Sequence, residues 1–133
     1  MSYSNNPTSI KAGTGITVTP TSGTGANTIT ISASGTSSYA IRIATATPIA
    51  VNGTTDDVIS VQVPGPVAVA VTLPAGVLGS AFTIKDGLGL ASIATPITIT
   101  PTAGTIDGAA TATISAPYGS LTFIYDGVEW LII

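Results

Sequence analysis

The sequence contains neither cysteine nor histidine, and charged residues make up only 7% of it. Disulfides, thiolate metal sites and the Ser-His-Asp or Cys-His arrangements of nucleophilic catalysis are therefore excluded. The three basic residues, Lys11, Arg42 and Lys85, lie far apart along the chain. Because nucleic-acid binding depends on clustered basic side chains that neutralise phosphates, the sequence predicts no nucleic-acid partner.

Long hydrophobic runs are also missing. Proline and glycine interrupt every aliphatic stretch well before the roughly 20 residues that a transmembrane helix needs. The first residues lack the basic-then-apolar order of a secretory signal. We therefore expect a soluble, unprocessed chain with no membrane partner.

Apolar side chains, in contrast, are abundant. The hydrophobic fraction is 44% in a chain of 133 residues. The charged fraction of 7% is far below the roughly 25% of ordinary soluble domains. The polar surface must come from threonine, serine, asparagine and glycine, and a monomer of this composition would expose contiguous apolar patches. The composition therefore predicts a homo-oligomer.

The N-terminal third reads as an arm followed by a β-hairpin. Ile16, Val18, Ile29 and Ile31 alternate with threonines, which is the period-2 pattern of two half-buried strands. A serine- and glycine-rich stretch up to Ser38 then separates this section from the rest. We predict an attachment segment over residues 1–38 and a β-sandwich domain over residues 39–133.

Short apolar runs separated by proline, glycine, asparagine and aspartate fill the second section. This spacing is typical of a β-sandwich or barrel. Helix is disfavoured throughout, because threonine, valine, isoleucine, glycine and proline dominate the composition. The sequence therefore predicts an all-β fold.

Three aspartates stand directly before glycine, which is the pattern of a turn: Asp86-Gly87, Asp107-Gly108 and Asp126-Gly127. The last pair lies between two apolar β-prone segments and predicts a hairpin with a type I′ turn. We expect the final strand, which contains Trp130, to be central or well covered, since an exposed apolar edge invites aggregation.

The remaining acidic residues leave alternatives open. The adjacent pair Asp56 and Asp57 is either a calcium site or, as we favour, a solvated loop. Glu129, the only glutamate, is expected to face solvent or to pair with Lys85 or Arg42 across a subunit interface. We expect no enzymatic activity, no cofactor and no metal.

Aromatic residues offer a binding alternative. Tyr39 and Tyr118 are the recognition candidates, since aromatic faces stack on sugar rings while their hydroxyl groups form hydrogen bonds. Packing at the core and rim is the alternative for most aromatics. Tyr118 lies between Pro117 and Gly119, near a predicted turn, and is the first aromatic to test for glycan recognition.

Two stretches carry a family resemblance. The segment from Ile10 to Ser34 contains Gly-Thr-Gly-Ile-Thr-Val, which is similar to repeats of trimeric tailed-bacteriophage fibres and head-associated proteins. The segment from Phe82 to Ile133 resembles a β-rich module of phage tail fibres, spikes and capsid decoration proteins. Its matching positions are Lys85-Asp86-Gly87, Ile97-Thr98-Ile99, Ile106-Asp107-Gly108-Ala109, Tyr118-Gly119-Ser120, and Asp126-Gly127 with Trp130. One departure is Leu88-Gly89-Leu90, where a more polar turn is usual.

The resemblance implies a jelly-roll-like antiparallel β-sandwich that forms a homotrimer in the virion. We favour a capsid decoration (cement) protein on the capsid surface, bound to the major capsid protein, because 133 residues leave no room for a fibre's long shaft and tip. A tail fibre or spike component and a carbohydrate-binding module are the alternatives. Candidate attachment residues are Tyr3, Ile10, Ile16 and Val18.

Overall fold

A computed structural model of the chain describes residues 16–20, 29–33 and 38–133. The chain divides into two compact units, Met1–Ser38 and Tyr39–Ile133. In the first unit, β1 (Ile16–Pro20) and β2 (Ile29–Ala33) pair antiparallel. The attachment candidates Tyr3 and Ile10 lie outside the described residues.

The second unit is built from strands, and its residues contain no helix. Its strands form a five-stranded sheet in the order β11-β10-β7-β5-β3 and a four-stranded sheet in the order β4-β6-β8-β9. A single cluster of buried apolar side chains from both sheets forms the core, as in a β-sandwich. The strands are β3 (Ile41–Ala44), β4 (Ile49–Ala50), β5 (Val58–Val61), β6 (Val69–Leu73), β7 (Ala81–Asp86), β8 (Ile97–Pro101), β9 (Ala112–Ile114), β10 (Ser120–Tyr125) and β11 (Trp130–Ile132).

Strand direction differs from the prediction. Four of the seven strand pairings within residues 38–133 are parallel, namely β3 with β5, β5 with β7, β4 with β6 and β6 with β8. From β3 to β8 the chain alternates between the two sheets, as in a short β-solenoid, so each return to a sheet runs in the same direction as before. The all-β prediction is confirmed, but the antiparallel, jelly-roll pairing is wrong for these strands.

Alternating side chains explain how each strand faces the core. In β6, Val69, Val71 and Leu73 are buried and the residues between them are exposed. The parallel register aligns Val69 with Ile97 and Val71 with Ile99 of β8, both also buried. Threonine and alanine therefore cover the outer face of this sheet, while branched aliphatic side chains fill the interior.

The C-terminal hairpin closes one end of this winding. The Trp130 side chain is fully buried, and its ring centroid lies 5.6 Å from that of Phe82 and 5.2 Å from that of Tyr125. Although β11 is an edge strand, the Trp130 N–H donates to the Thr105 carbonyl at 3.0 Å and the Asp107 N–H donates to the Trp130 carbonyl at 2.9 Å. The predicted cover is thus confirmed for Trp130, whereas β11 is not central and Ile133 beyond it is exposed.

The loop of this hairpin is longer than predicted. Tyr125 pairs with Trp130, so four residues connect the strands instead of the two of a type I′ turn. Gly127 has a φ of 103°, whereas the φ of Asp126 is not positive. The Asp126 carboxylate instead accepts the Val128 and Glu129 N–H groups at 2.8 and 2.9 Å. The hairpin is confirmed, and its turn type is wrong because this side chain organises a wider loop.

An ion pair lies at the opposite end, beside edge strand β3. Ile41 and Ile43 face outward, so Arg42 points between the sheets. Its Nη2 atom lies 2.9 Å from Asp56 Oδ2 and donates to the Ala50 carbonyl at 2.8 Å. An inward-pointing charge makes an edge strand a poor template for another chain.

Replacing Arg42 by methionine should lower the free energy of unfolding by about 2 kcal/mol, because a buried Asp56 carboxylate loses its cation. The cost is below that of a fully buried pair since the Arg42 side chain is 38% exposed. Urea denaturation of Arg42→Met, Asp56→Asn and the double variant gives the coupling energy, which we expect to be about 1 kcal/mol or more. Strictly additive losses would contradict a direct interaction.

Candidate recognition surface

Every one of the six carboxylates of the sequence accepts a hydrogen bond from within the chain. The acceptors are Asp56, Asp57, Asp86, Asp107, Asp126 and Glu129. Because backbone N–H groups dominate the donors, these side chains act as loop and strand anchors.

The favoured interpretation of Asp56 and Asp57 as a solvated loop agrees with the exposed Asp57 but is wrong for Asp56, which is 5% exposed. Asp56 is buried against Arg42, and Asp57 accepts the Ala40 N–H at 2.7 Å. Among the described residues, no three or more His, Cys, Asp or Glu side chains lie close enough together to hold a metal ion. Burial opposes ionisation of Asp56, but hydrogen bonds from Arg42 and the Asn52 N–H outweigh it and lower its pKa.

Asp86 is the central anchor of the loops beyond β7. Its carboxylate is 2% exposed and accepts the N–H groups of Gly89 at 3.0 Å, Ala91 at 2.9 Å and Tyr118 at 3.1 Å. Burial opposes the charged form, yet these backbone donors outweigh it and hold the pKa of Asp86 below its ordinary value. The predicted turn aspartate therefore joins two loops that are distant in sequence.

Gly87 is required for a close approach. A Cβ atom at this position would lie 2.9 Å from Gln62 Cγ and 3.1 Å from the Val61 carbonyl oxygen. The Gly87 N–H also donates to that carbonyl at 2.8 Å. The absence of a side chain thus lets the chain pack directly against the end of β5.

Asp107 and Gly108 form the tight turn that the sequence predicts. Their φ angles are 47° and 76°, and a type I′ turn needs positive values at both positions. Glu129 accepts the Gly108 N–H and the Thr105 hydroxyl, each at 2.7 Å. Within the chain this glutamate therefore supports the turn, and its expected pairing with Lys85 or Arg42 across a subunit interface stays a prediction.

Tyr118 presents an exposed ring from a constrained backbone. Its φ is 57°, and its side chain is 62% exposed. The N–H is held by Asp86, and the carbonyl accepts the Lys85 ammonium group. A Cβ atom on Gly89 would collide with the ring, so the ring packs directly against the Gly89 backbone. This over-determined conformation of a non-glycine residue is typical of functional positions.

Tyr39 lies apart from Tyr118. It is 80% exposed and precedes β3, at the end of the sheet where the parallel strands begin. Tyr118 lies where β7 ends, beside Asp86. The structure therefore does not bring the two recognition candidates together.

Of the large apolar side chains that are exposed in residues 38–133, all but Ile133 fall into three groups, each defined by the elements that carry it. The strand-β3 surface consists of Tyr39, Ile41 and Ile43. The β7-end surface consists of Val67, Leu88, Leu90, Ile93 and Tyr118, and the hairpin surface consists of Val77, Leu78 and Val128. Grouped exposed apolar residues mark association surfaces more often than isolated ones do.

Sequence reasoning found only part of these surfaces. The apolar Leu88-Gly89-Leu90 run signalled an unusual loop, but the contribution of Ile41 and Ile43 was not identified. The sequence did contain a signal for their exposure. Ile41 and Ile43 flank Arg42 in an alternating strand, so an inward-facing Arg42 places both isoleucines on the outer face. The attachment candidates Ile16 and Val18 lie in β1, where they align with Ala33 and Ile31.

Replacing Asp86 by asparagine should lower the free energy of unfolding by about 1–3 kcal/mol at pH 7, because charge-assisted hydrogen bonds are lost. Since its folded-state pKa is lowered, the native carboxylate stabilises the fold above about pH 4 and loses this contribution as pH falls through the lowered pKa. Urea titrations from pH 7 to about pH 3 should show the two proteins converging in stability.

The matched control is Asp126→Asn, which removes a carboxylate that also accepts two backbone N–H groups but lies in an exposed loop. Its loss of stability at pH 7 should be smaller, since solvent replaces the lost interactions. A constant gap between the Asp86 variant and the native protein across this pH range would contradict the assignment.

The residues that the structure describes include no helix long and apolar enough to cross a membrane. The chain matches no protein-family model, and no curated protein matches its sequence.

Proposed function

We propose that this protein is a structural virion component, a capsid decoration protein that binds the major capsid protein on the head surface as a homotrimer. One observation carries the proposal: the acidic groups are engaged within the chain while large apolar side chains are exposed. The sequence resemblance to phage decoration, fibre and spike modules supplies the choice of particle.

The charge distribution supports association through apolar contact. Arg42 is paired with Asp56, and Lys85 bonds to the Tyr118 carbonyl. Among the described residues, the exposed carboxylates are those of Asp57, Asp107 and Asp126, and each accepts a backbone N–H group. Burial of exposed aliphatic groups, at about 25 cal/mol per Å², is then the main source of binding energy.

The strand-β3 surface is the self-association face in this proposal. Ile41 aligns with the half-buried Val58 of β5, and Ile43 follows on the same face of the strand. These three side chains form a short apolar row at the edge of the sheet, and it is bordered by Ser60, which aligns with Ile43. A second copy can cover such a row without pairing with the backbone edge, which Arg42 makes unfavourable for strand addition.

The mechanism is cementing. A trimer contacts neighbouring capsomers, and burial of apolar surface between them opposes the outward pressure of the packaged genome. In this proposal residues 1–38 contact the shell, and the β-sandwich domain holds the three copies together. A specific contact of this kind needs about 800 Å² from each partner.

Introducing lysine at Ile41 and Ile43 together should convert the oligomer to monomers, because two like charges would be buried in the contact. Sedimentation velocity at micromolar concentration measures the state, and circular dichroism checks that the fold is retained. The control is Ile93→Lys, which is 91% exposed but lies on the β7-end surface. A native protein that sediments as a monomer would overturn the proposal.

Attachment to the shell should survive salt. Raising the concentration to about 1 M shortens the Debye length to about 3 Å and suppresses surface ion pairs, but leaves apolar contacts intact. Co-sedimentation of the protein with stripped phage heads at low and molar salt measures this. Release at molar salt would show that charge holds the complex.

A carbohydrate-binding module is the second candidate, favoured by the constrained, exposed ring of Tyr118. Aromatic rings of this kind stack on sugar faces. Glycan-array binding that is lost in Tyr118→Ala would support this function over capsid decoration.

A further inference from the structure

The loop between β4 and β5 contains the only Asn-Gly pair of the sequence, Asn52-Gly53. Both residues are exposed. The Asn52 side-chain oxygen accepts hydrogen bonds from the Thr54 N–H at 3.0 Å and from the Thr54 hydroxyl at 2.8 Å. The asparagine side chain is therefore folded back along the peptide that joins it to Gly53.

This arrangement prepares the Asn52 amide for attack. Hydrogen bonds to Oδ1 draw electron density from Cγ and would stabilise the oxyanion that forms when a nucleophile adds there. The nearest nucleophile along the chain is the Gly53 backbone nitrogen, which closes a five-membered ring with Cγ. No side chain at Gly53 shields this nitrogen.

We propose that Asn52 is a site of spontaneous deamidation in the folded protein. The Gly53 nitrogen bonds to Asn52 Cγ and loses its proton, and the Cγ–Nδ2 bond breaks to release ammonia, leaving a succinimide. Water then opens either carbonyl of the ring, which gives aspartate or isoaspartate at position 52. No oxidant, metal or enzyme takes part.

Deamidation of Asn52 would alter the contacts beside edge strand β3. The Asn52 N–H donates to Asp56 Oδ2 at 2.8 Å, and the Asp56 N–H donates to the Asn52 carbonyl at 3.1 Å. Isoaspartate inserts a methylene group into the main chain between these anchors and adds a carboxylate close to Asp56. Both changes oppose the geometry that pairs Asp56 with Arg42, so the modified chain is less stable around β3.

Gly53 can be replaced by alanine to test the role of its backbone nitrogen without changing the loop. A Cβ atom on Gly53 would lie 3.4 Å from Pro74 Cγ, an ordinary contact, and the glycine has no positive φ. Gly53→Ala therefore keeps the loop while hindering the nucleophile. Thr54→Val removes the hydroxyl donor and keeps the backbone donor.

The experiment incubates the native protein and both variants at pH 8 and 37 °C and follows isoaspartate at position 52 by peptide mass spectrometry. We expect conversion in the folded native protein, roughly tenfold slower conversion in Gly53→Ala, equivalent to about 1.4 kcal/mol of barrier, and several-fold slower conversion in Thr54→Val. The urea midpoint of the modified fraction should be lower than that of unmodified protein.

Full-length protein held unfolded in urea at the same pH is the reference for the intrinsic chemistry. Conversion in urea without conversion in the folded protein would overturn the proposal, since the loop would then protect Asn52. Equal rates in Thr54→Val and native protein would overturn the role of the hydroxyl donor.

Discussion

The need to satisfy backbone N–H groups in loops that cross between two sheets shapes this molecule. A parallel winding sends the chain from one sheet to the other after almost every strand, and the crossing segments have no ladder to pair with. Carboxylates supply the missing acceptors. Asp86 does this for the loops that end at Ala91 and Tyr118, and Glu129 does it for the turn at Gly108. A few acidic residues thereby order much of the irregular structure.

The small number of charged residues also determines the composition of the surface. Because Asp56 is paired with Arg42 and Asp86 is enclosed by backbone donors, these charges contribute little to hydration of the exterior. Threonine and alanine cover the outside of the four-stranded sheet, and isoleucines remain exposed on β3. Internal anchoring of acidic groups and exposure of apolar side chains are thus two consequences of one composition, because a chain with few charges that uses them in its loops has few left for its surface.

Period-2 alternation predicted the all-β class and the faces of strands such as β6, because burial decides which side chains alternate. The alternation carried no information on whether neighbouring strands run parallel or antiparallel. Ile41 aligns with Val58, and Val58 with Thr83, so successive turns of the winding differ in length and leave no repeat to detect. The three Asp-Gly pairs, alike in sequence, became a buried anchor, a type I′ turn and a four-residue loop. Tertiary contacts made that difference, and local sequence could not predict it.

The two edges of the five-stranded sheet, β11 and β3, are protected in different ways, and in the proposed oligomer this difference limits how copies can meet. At the C-terminal end, segment 105–107 occupies the edge of β11 with backbone bonds. At the other end, β3 keeps an edge that no described strand pairs with, but Arg42 turns inward to Asp56. A strand added there would have to pack beside that ion pair, which costs desolvation. In the proposed oligomer, contacts would therefore use side-chain faces, where Ile41 and Ile43 are exposed. A symmetric contact between faces that closes on itself gives an assembly of defined size, whereas open strand edges would give continuous sheets.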